Sequence, residues 1–335
     1  MAQKQRRDRR TRRRMSDLKL FAVMSFILLL AVMLGILLHS RTGEKRRESA
    51  VKRQDDTTRS TITTDPAAET AVHTSQAPPE RWKQIGMPES ALAEGALVLV
   101  NDQYSYDPSL PRTVSVYENK TGSYLVKDIY LSVTPETIDA LNAWMDAFAA
   151  ETGITDVNIV AGWRSFADQT AIYDNAVSTK GQAHADAYIA LPGHSEHHTG
   201  LAVDLDTYDL ETGLSWGFDG TGDYAWAVEH AWEYGFIQRY PPSKRGITGI
   251  DYESWHFRYV GLPHSYIMST NNLCLEEYID YLRGFPFDGS HLFVTCLGKE
   301  YEVYYCQGRN IVVPGAGNYT VFGNNVDGFI VTIRR

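Results

Sequence analysis

Cysteine is scarce: Cys274, Cys296 and Cys306 are the only three in 335 residues, and no two stand in a Cys-x-x-Cys spacing. That excludes a disulfide-dense scaffold and a thiolate metal site. No P-loop and no Gly-x-Gly-x-x-Gly turn is present, so neither phosphate-cradling motif supports a nucleotide-binding reading. Basic residues are sparse in the main body, where residues 81–335 hold 16 Lys/Arg against 32 Asp/Glu. A body that acidic is a poor nucleic-acid binder, because phosphate neutralisation needs clustered Lys/Arg. Apolar residues at 43% and charged residues at 22% are ordinary for a globular protein and exclude collagen-like or wholly disordered classes.

Charge is absent altogether from residues 20–38, which also lack Pro, Asn and Gln. At ~1.5 Å per residue this run makes a helix of about 28 Å, close to the thickness of a bilayer core. Residues 1–19 carry nine Lys/Arg and two Asp/Glu, including Arg6, Arg7, Arg9, Arg10, Arg12, Arg13, Arg14 and Lys19. The positive-inside rule then keeps this basic head in the cytoplasm and sends residues 39–335 outward. A cleavable signal peptide is the competing reading, but no small-x-small site follows the apolar run. We therefore expect a single-pass membrane anchor over 20–38. From His39 to about Glu80 large apolar residues almost vanish, which predicts a flexible tether of about 35 Å typical reach.

Order is expected from near Trp82. Ala96–Val100 reads as a short buried strand, and Thr134-Pro135-Glu136 as a helix start. Ile138, Leu141, Trp144, Met145 and Phe148 then recur at three- and four-residue steps up to Gly153, the pattern of an amphipathic helix. Val157–Val160 reads as strand, and further helices are expected over Phe166–Val177 and around Tyr224–Tyr234. Without a strict βαβ rhythm, an α+β fold with a central, mostly antiparallel sheet and flanking helices fits best. Beyond about Gly284, short Val-, Tyr-, Phe- and Thr-rich segments separated by Gly, Pro and Asn predict a small β module packed on the main domain. The expected organisation is a basic head (1–19), an anchor (20–38), a linker (39–80), a main domain (81–283) and a β module (284–335). Cys296 and Cys306 flank an expected hairpin and could pair, or all three thiols could be free and buried.

Two stretches concentrate imidazoles and carboxylates: Gly193–Asp206 and Asp251–Gly261. Imidazoles plus one carboxylate, with an open position, are how hydrolytic zinc sites are built, and a further carboxylate can serve as general base. If Leu201, Val203 and Leu205 face one way on a strand, Ala202, Asp204 and Asp206 face the other. Glu253 and His256, three apart, share a face on a helix but lie on opposite faces of a regular strand. The flanking aromatics favour strand, which would need a bulge or a strand end to bring them together.

The linked pattern Ser195-x-His197-x-x-Gly200-x-Ala202-x-Asp204, then Glu253-x-Trp255-His256, resembles the signature of the zinc D-alanyl-D-alanine carboxypeptidases, VanY-like members especially. Gly162-Trp163-Arg164-Ser165-x-x-x-Gln169 is similar to that family's Gly-Tyr-Arg-Ser-x-x-x-Gln segment, with Trp in place of Tyr. The resemblance covers about residues 95–283 and leaves out the β tail. It implies a hedgehog/DD-peptidase-like core and zinc held by His197, Asp204 and His256. It further implies Glu253 as the base, Arg164 at the oxyanion, and Ser195 and Gln169 on the substrate, with Ser195 at its terminal carboxylate. His194 and His198 read as supporting or surface histidines rather than ligands.

The function implied is removal of the terminal D-Ala from peptidoglycan stem peptides ending in D-Ala-D-Ala, outside the cell. An L,D-carboxypeptidase or an endopeptidase on the same scaffold is the close alternative. A non-catalytic wall-binding module is the distant one, and it has no need of Glu253.

Overall fold

The computed structural model describes residues 81–335. The expected basic head, anchor and linker lie outside the described residues, and among the described residues no helix is long and apolar enough to cross a membrane. The chain runs through β1 (Trp82–Gly86), β2 (Val114–Ser115), β3 (Leu125–Val126) and β4 (Ser132–Val133) into α1 (Pro135–Thr152). It continues through β5 (Val157–Ala161), α2 (Phe166–Lys180), α3 (Gln182–Tyr188), β6 (Ala202–Asp209) and β7 (Leu214–Gly217). Then come β8 (Phe236–Gln238), β9 (His256–Tyr259), α4 (His264–Thr270) and α5 (Leu275–Leu282). The last strands are β10 (Leu292–Cys296), β11 (Lys299–Gln307), β12 (Asn310–Pro314), β13 (Tyr319–Gly323) and β14 (Gly328–Arg334).

The α1 helix begins where Thr134 caps it by accepting from the Thr137 amide, with Pro135 in the first turn. It stops at Gly153, whose φ of 76° suits a residue without Cβ. Its apolar stripe of Ile138, Leu141, Trp144, Met145 and Phe148 packs on Val157, Ile159, Val203, Leu205, Phe236 and Phe257. Those partners come from the main sheet, ordered β3-β5-β6-β9-β8 with β7 also on β6. Only β3–β5 in that sheet is parallel. The result is a mixed fold with a mostly antiparallel sheet, one face buried under a helix. The other face of β6 and β9 is free to carry polar side chains, and it carries the site.

The helix expected around 224–234 exists as Ala225–His230 followed by a tighter turn, Ala231–Tyr234, before Gly235. The expected strand at Ala96–Val100 is corrected. The segment is buried but pairs with no strand. Instead Ala96 and Val98 give their carbonyls to the Arg258 guanidinium at 3.0 and 2.8 Å.

In the tail, β10-β11-β14-β13 form an antiparallel sheet. Residues alternate across it. Val303 and Ile330 pack with Leu97, Leu99, Ile267, Tyr278 and Ile279, while Tyr304, Cys306, Phe329 and Val331 pack with Ile311 and Val313. The second face is closed by a ribbon in which β1 pairs with β12, so Trp82–Gly86 crosses to the tail. All three cysteines are free and buried. Cys296 pairs with Lys299 across a two-residue turn, which leaves Cys306 seven residues farther along β11. At ~3.3 Å per residue that is about 23 Å, far beyond disulfide reach.

Candidate active site

Antiparallel pairing of β6 with β9 sets Asp204 directly opposite His256, so both point from the same face. His197 comes from a different element, the short turn Glu196–Thr199. Ser195 caps this turn by accepting from the His197 amide at 3.3 Å, and Gly200 ends it with a φ of 68°. A Cβ at Gly200 would also stand 3.2 Å from Thr113 and Thr134, so the residue following this turn has two reasons to be glycine. Ligand atoms of His197, Asp204 and His256 lie within 4.8 Å of one another. His197 Nε2 is 3.2 Å from Asp204 Oδ2, and His256 Nδ1 is 2.9 Å from Asp204 Oδ1.

Tautomers follow from the outer contacts. His197 Nδ1 sits 2.7 Å from the Gly162 carbonyl, which can only accept, so Nδ1 carries the proton and Nε2 offers a lone pair inward. The β5 strand bulges between Ile159 and Ala161, and this irregularity leads into Gly162. Two imidazole nitrogens and one carboxylate, nearly buried and lining a cavity of about 280 Å³, are a donor set that fits zinc.

Glu253 lies just before β9, and this strand-end position lets it approach His256: Oε2 is 3.8 Å from Nδ1. Of the two geometries compatible with a three-residue spacing, the chain uses the strand end. Burial pushes the Glu253 carboxyl up to about 8, helped by the Asp204 charge and opposed by His256 and Arg164. Burial disfavours charge on His256, but the Asp204 and Glu196 carboxylates outweigh it and hold the imidazole up at about 9. His197 is lowered by burial and by Arg164. Burial resists ionisation of Asp204 too, yet the two histidines hold it well below the usual carboxylate range.

Arg164 follows β5 and projects into the same cavity, with Nη2 3.8 Å from Asp204. It is fixed from several sides. Its amide donates to the His197 carbonyl at 3.1 Å, its carbonyl accepts from His198 Nδ1 at 2.7 Å, and Nη1 donates to Gln169 Oε1 at 2.8 Å. The His198 assignment is unambiguous, because its Nε2 accepts from the Gly193 amide at 3.0 Å. Gln169 also lines the cavity, and with its amide nitrogen donating to the Ala190 carbonyl at 2.7 Å the side chain braces Arg164. Ser195 lines the cavity. His194 contacts the Asn101 carbonyl at 2.7 Å and stands outside the ligand group. Asp206 accepts from Ser215 on β7, away from the ligands.

The sequence reading missed a layer of buried charge behind His256. Glu196, between Ser195 and His197, is 1% exposed. Arg239 Nε and Arg258 Nη1 both donate to its Oε1 at 2.7 Å. Arg239 also grips Glu276 on α5 at 2.9 and 2.6 Å. The available signal was two arginines inside largely apolar strand sequence, Phe236–Tyr240 and Phe257–Val260.

Several known proteins are similar to this chain. The profile of VanY, D-alanyl-D-alanine carboxypeptidase, matches residues 131–262. A D-alanyl-D-alanine carboxypeptidase of Enterococcus faecium is 32% identical over 262 residues, covering 76% of this chain and 80% of that protein. VanXYC of Enterococcus gallinarum, a bifunctional D-Ala-D-Ala dipeptidase and carboxypeptidase, is 38% identical over 157 residues, 46% of this chain and 80% of that one. Among solved structures, the vancomycin-resistance D,D-dipeptidase VanXYg, in complex with a D-Ala-D-Ala phosphinate analogue, aligns with a TM-score of 0.67. It shares 34% identity and covers 76% of this chain and 99% of its own.

Proposed function

The chain belongs to the VanY family of D-alanyl-D-alanine carboxypeptidases, and from that premise we propose that it is a zinc D,D-carboxypeptidase acting on peptidoglycan stem peptides outside the cell. The observation that carries the reading is the convergence of His197, Asp204 and His256 with Glu253 and Arg164 on one cavity. Zinc held by His197 Nε2, Asp204 and His256 Nδ1 would supply a Lewis acid that brings a water's pKa from 15.7 toward about 7. The chain's own groups do the rest. Glu253, its proton lost beside a divalent cation, takes the proton of the attacking water and passes it to the leaving amine. Arg164 faces the scissile carbonyl oxygen as negative charge develops there, and Gln169 keeps the guanidinium aimed. Ser195 on the cavity wall is the candidate donor to the substrate's terminal carboxylate.

D,D specificity is taken from the relatives, whose names specify D-Ala-D-Ala substrates. The test is to incubate the metal-loaded protein with muramyl pentapeptide and tetrapeptide and weigh the products. Loss of one D-Ala from the pentapeptide alone supports the proposal. Loss from the tetrapeptide would make it an L,D-carboxypeptidase, internal cleavage an endopeptidase, and no cleavage a binding module.

Location is part of the proposal. The uncharged run 20–38 behind a basic head supports a single-pass anchor with the enzyme on the outer side, where new wall precursors emerge. Deleting residues 1–38 should move the protein from the membrane fraction to the soluble one. Retention on the membrane would refute the anchor.

A further inference from the structure

The buried charges behind the metal ligands have no part in the chemistry above, and they are costly. Glu196, Arg239 and Arg258 have fully buried side chains, and Glu276 is largely buried. Buried ion networks of this kind often stabilise a fold no better than apolar residues of the same volume. Their geometry suggests another use. Both arginines bind the same Glu196 oxygen, Oε1. Oε2 is buried with no hydrogen-bond partner among the described residues, and so is His256 Nε2. The two orphaned atoms face each other at 3.5 Å.

We propose that Glu196 is a positioning residue: its Oε2 accepts the Nε2 proton of His256, fixing the ring so that Nδ1 is presented to the metal. The proposal rests on the zinc reading above and deepens it. An imidazole that ligates through Nδ1 keeps its proton on Nε2, and Glu196 Oε2 is the carboxylate oxygen beside that nitrogen. Asp204 lies 2.9 Å from Nδ1, on the metal side of the ring. The arginines hold the carboxylate in place. Arg258 is itself anchored on the carbonyls of Ala96 and Val98, and Arg239 on Glu276 of α5. Tyr240 packs against the His256 ring with centroids 4.9 Å apart, limiting its sideways swing. The histidine is thus oriented by groups from the Glu196–Thr199 turn, the segment just after β8, α5 and the segment before β2, as well as by its own strand.

The test is zinc affinity of the full chain, by chelator competition, for wild type and Glu196→Gln. The melting temperature of each metal-free protein separates folding from metal binding. Glutamine cannot match the carboxylate as an acceptor, so zinc affinity should fall about 10- to 100-fold, and the thermal shift conferred by added zinc should shrink with it. Equal affinity within twofold would overturn the proposal. Should the variant not fold, zinc-loaded wild type with ring-nitrogen-labelled histidine decides the matter. A slowly exchanging proton on His256 Nε2 supports the proposal, and an unprotonated or freely exchanging Nε2 overturns it. Failure of wild type to bind zinc at all would instead remove the zinc reading on which it stands.

Discussion

In the proposed mechanism Glu253 and Arg164 contact the reaction without holding the metal, so their loss should separate chemistry from metal binding. Glu253→Ala should lower kcat by about 10²- to 10⁴-fold while the protein still binds one zinc per chain. D-Ala release alongside metal analysis checks both halves, and activity within a few-fold of wild type would remove Glu253 as base. Arg164→Ala should cost about 10²- to 10³-fold in kcat. Lysine should not restore it, because a point charge cannot both bond Gln169 and face the oxyanion as a planar guanidinium does. The titration of the site makes a separate prediction. With Glu253 at about 8 and His256 at about 9 in the metal-free protein, both hold a proton at pH 7 that the working site must shed. Zinc binding at pH 7 should therefore release at least about one proton, and apparent affinity should climb with pH until it levels above about 9. Calorimetry in buffers of different ionisation enthalpy reads the release directly; none at pH 7 would contradict these protonation states.

At the level of elements, the site depends on strand register. A one-residue slip of β9 against β6 would send His256 to the α1 face and Phe257 to the cavity. The packing of Trp144 on Phe257, centroids 4.9 Å apart, holds the register from below. Gly162 is a sensitive point. A Cβ there would come within 2.5 Å of the Ser132 carbonyl, and the Gly162 carbonyl itself orients His197. Gly162→Ala should cost about 1–3 kcal/mol of stability and also weaken zinc binding, measurable by denaturant titration and chelator competition. An alanine variant matching wild type in both would show that the Ser132 contact relaxes freely. The elements that were legible in sequence are those with local causes: the Thr134 cap and Gly153 stop of α1, the alternation of β6, and the turn-bounded strands of the tail. What was hidden depends on distant partners. Ala96–Val100 reads as strand by composition, but its carbonyls are taken by an arginine 160 and 162 positions away. Glu196 is anonymous within its motif, because its partners lie 43 and 62 residues downstream.

For the whole molecule, the tail sheet shares apolar clusters with the rest of the described chain. Leu292, Val303 and Ile330 pack with Leu97, Ile237, Ile267, Tyr278 and Leu282. Removing residues 285–335 would expose this cluster and leave β1 without its partner β12. Such a truncation should lose cooperative thermal unfolding and aggregate, seen by calorimetry and light scattering. A soluble, cooperatively melting product would show that the core stands without the tail. The measurement that bears most directly on the whole account is a crystal structure of the zinc-loaded protein with an anomalous difference map at the zinc edge. The account predicts one peak bonded at about 2.0–2.2 Å by His197 Nε2, Asp204 and His256 Nδ1, with Glu253 beside it and not a ligand. A peak elsewhere, or coordination through His256 Nε2, would contradict it.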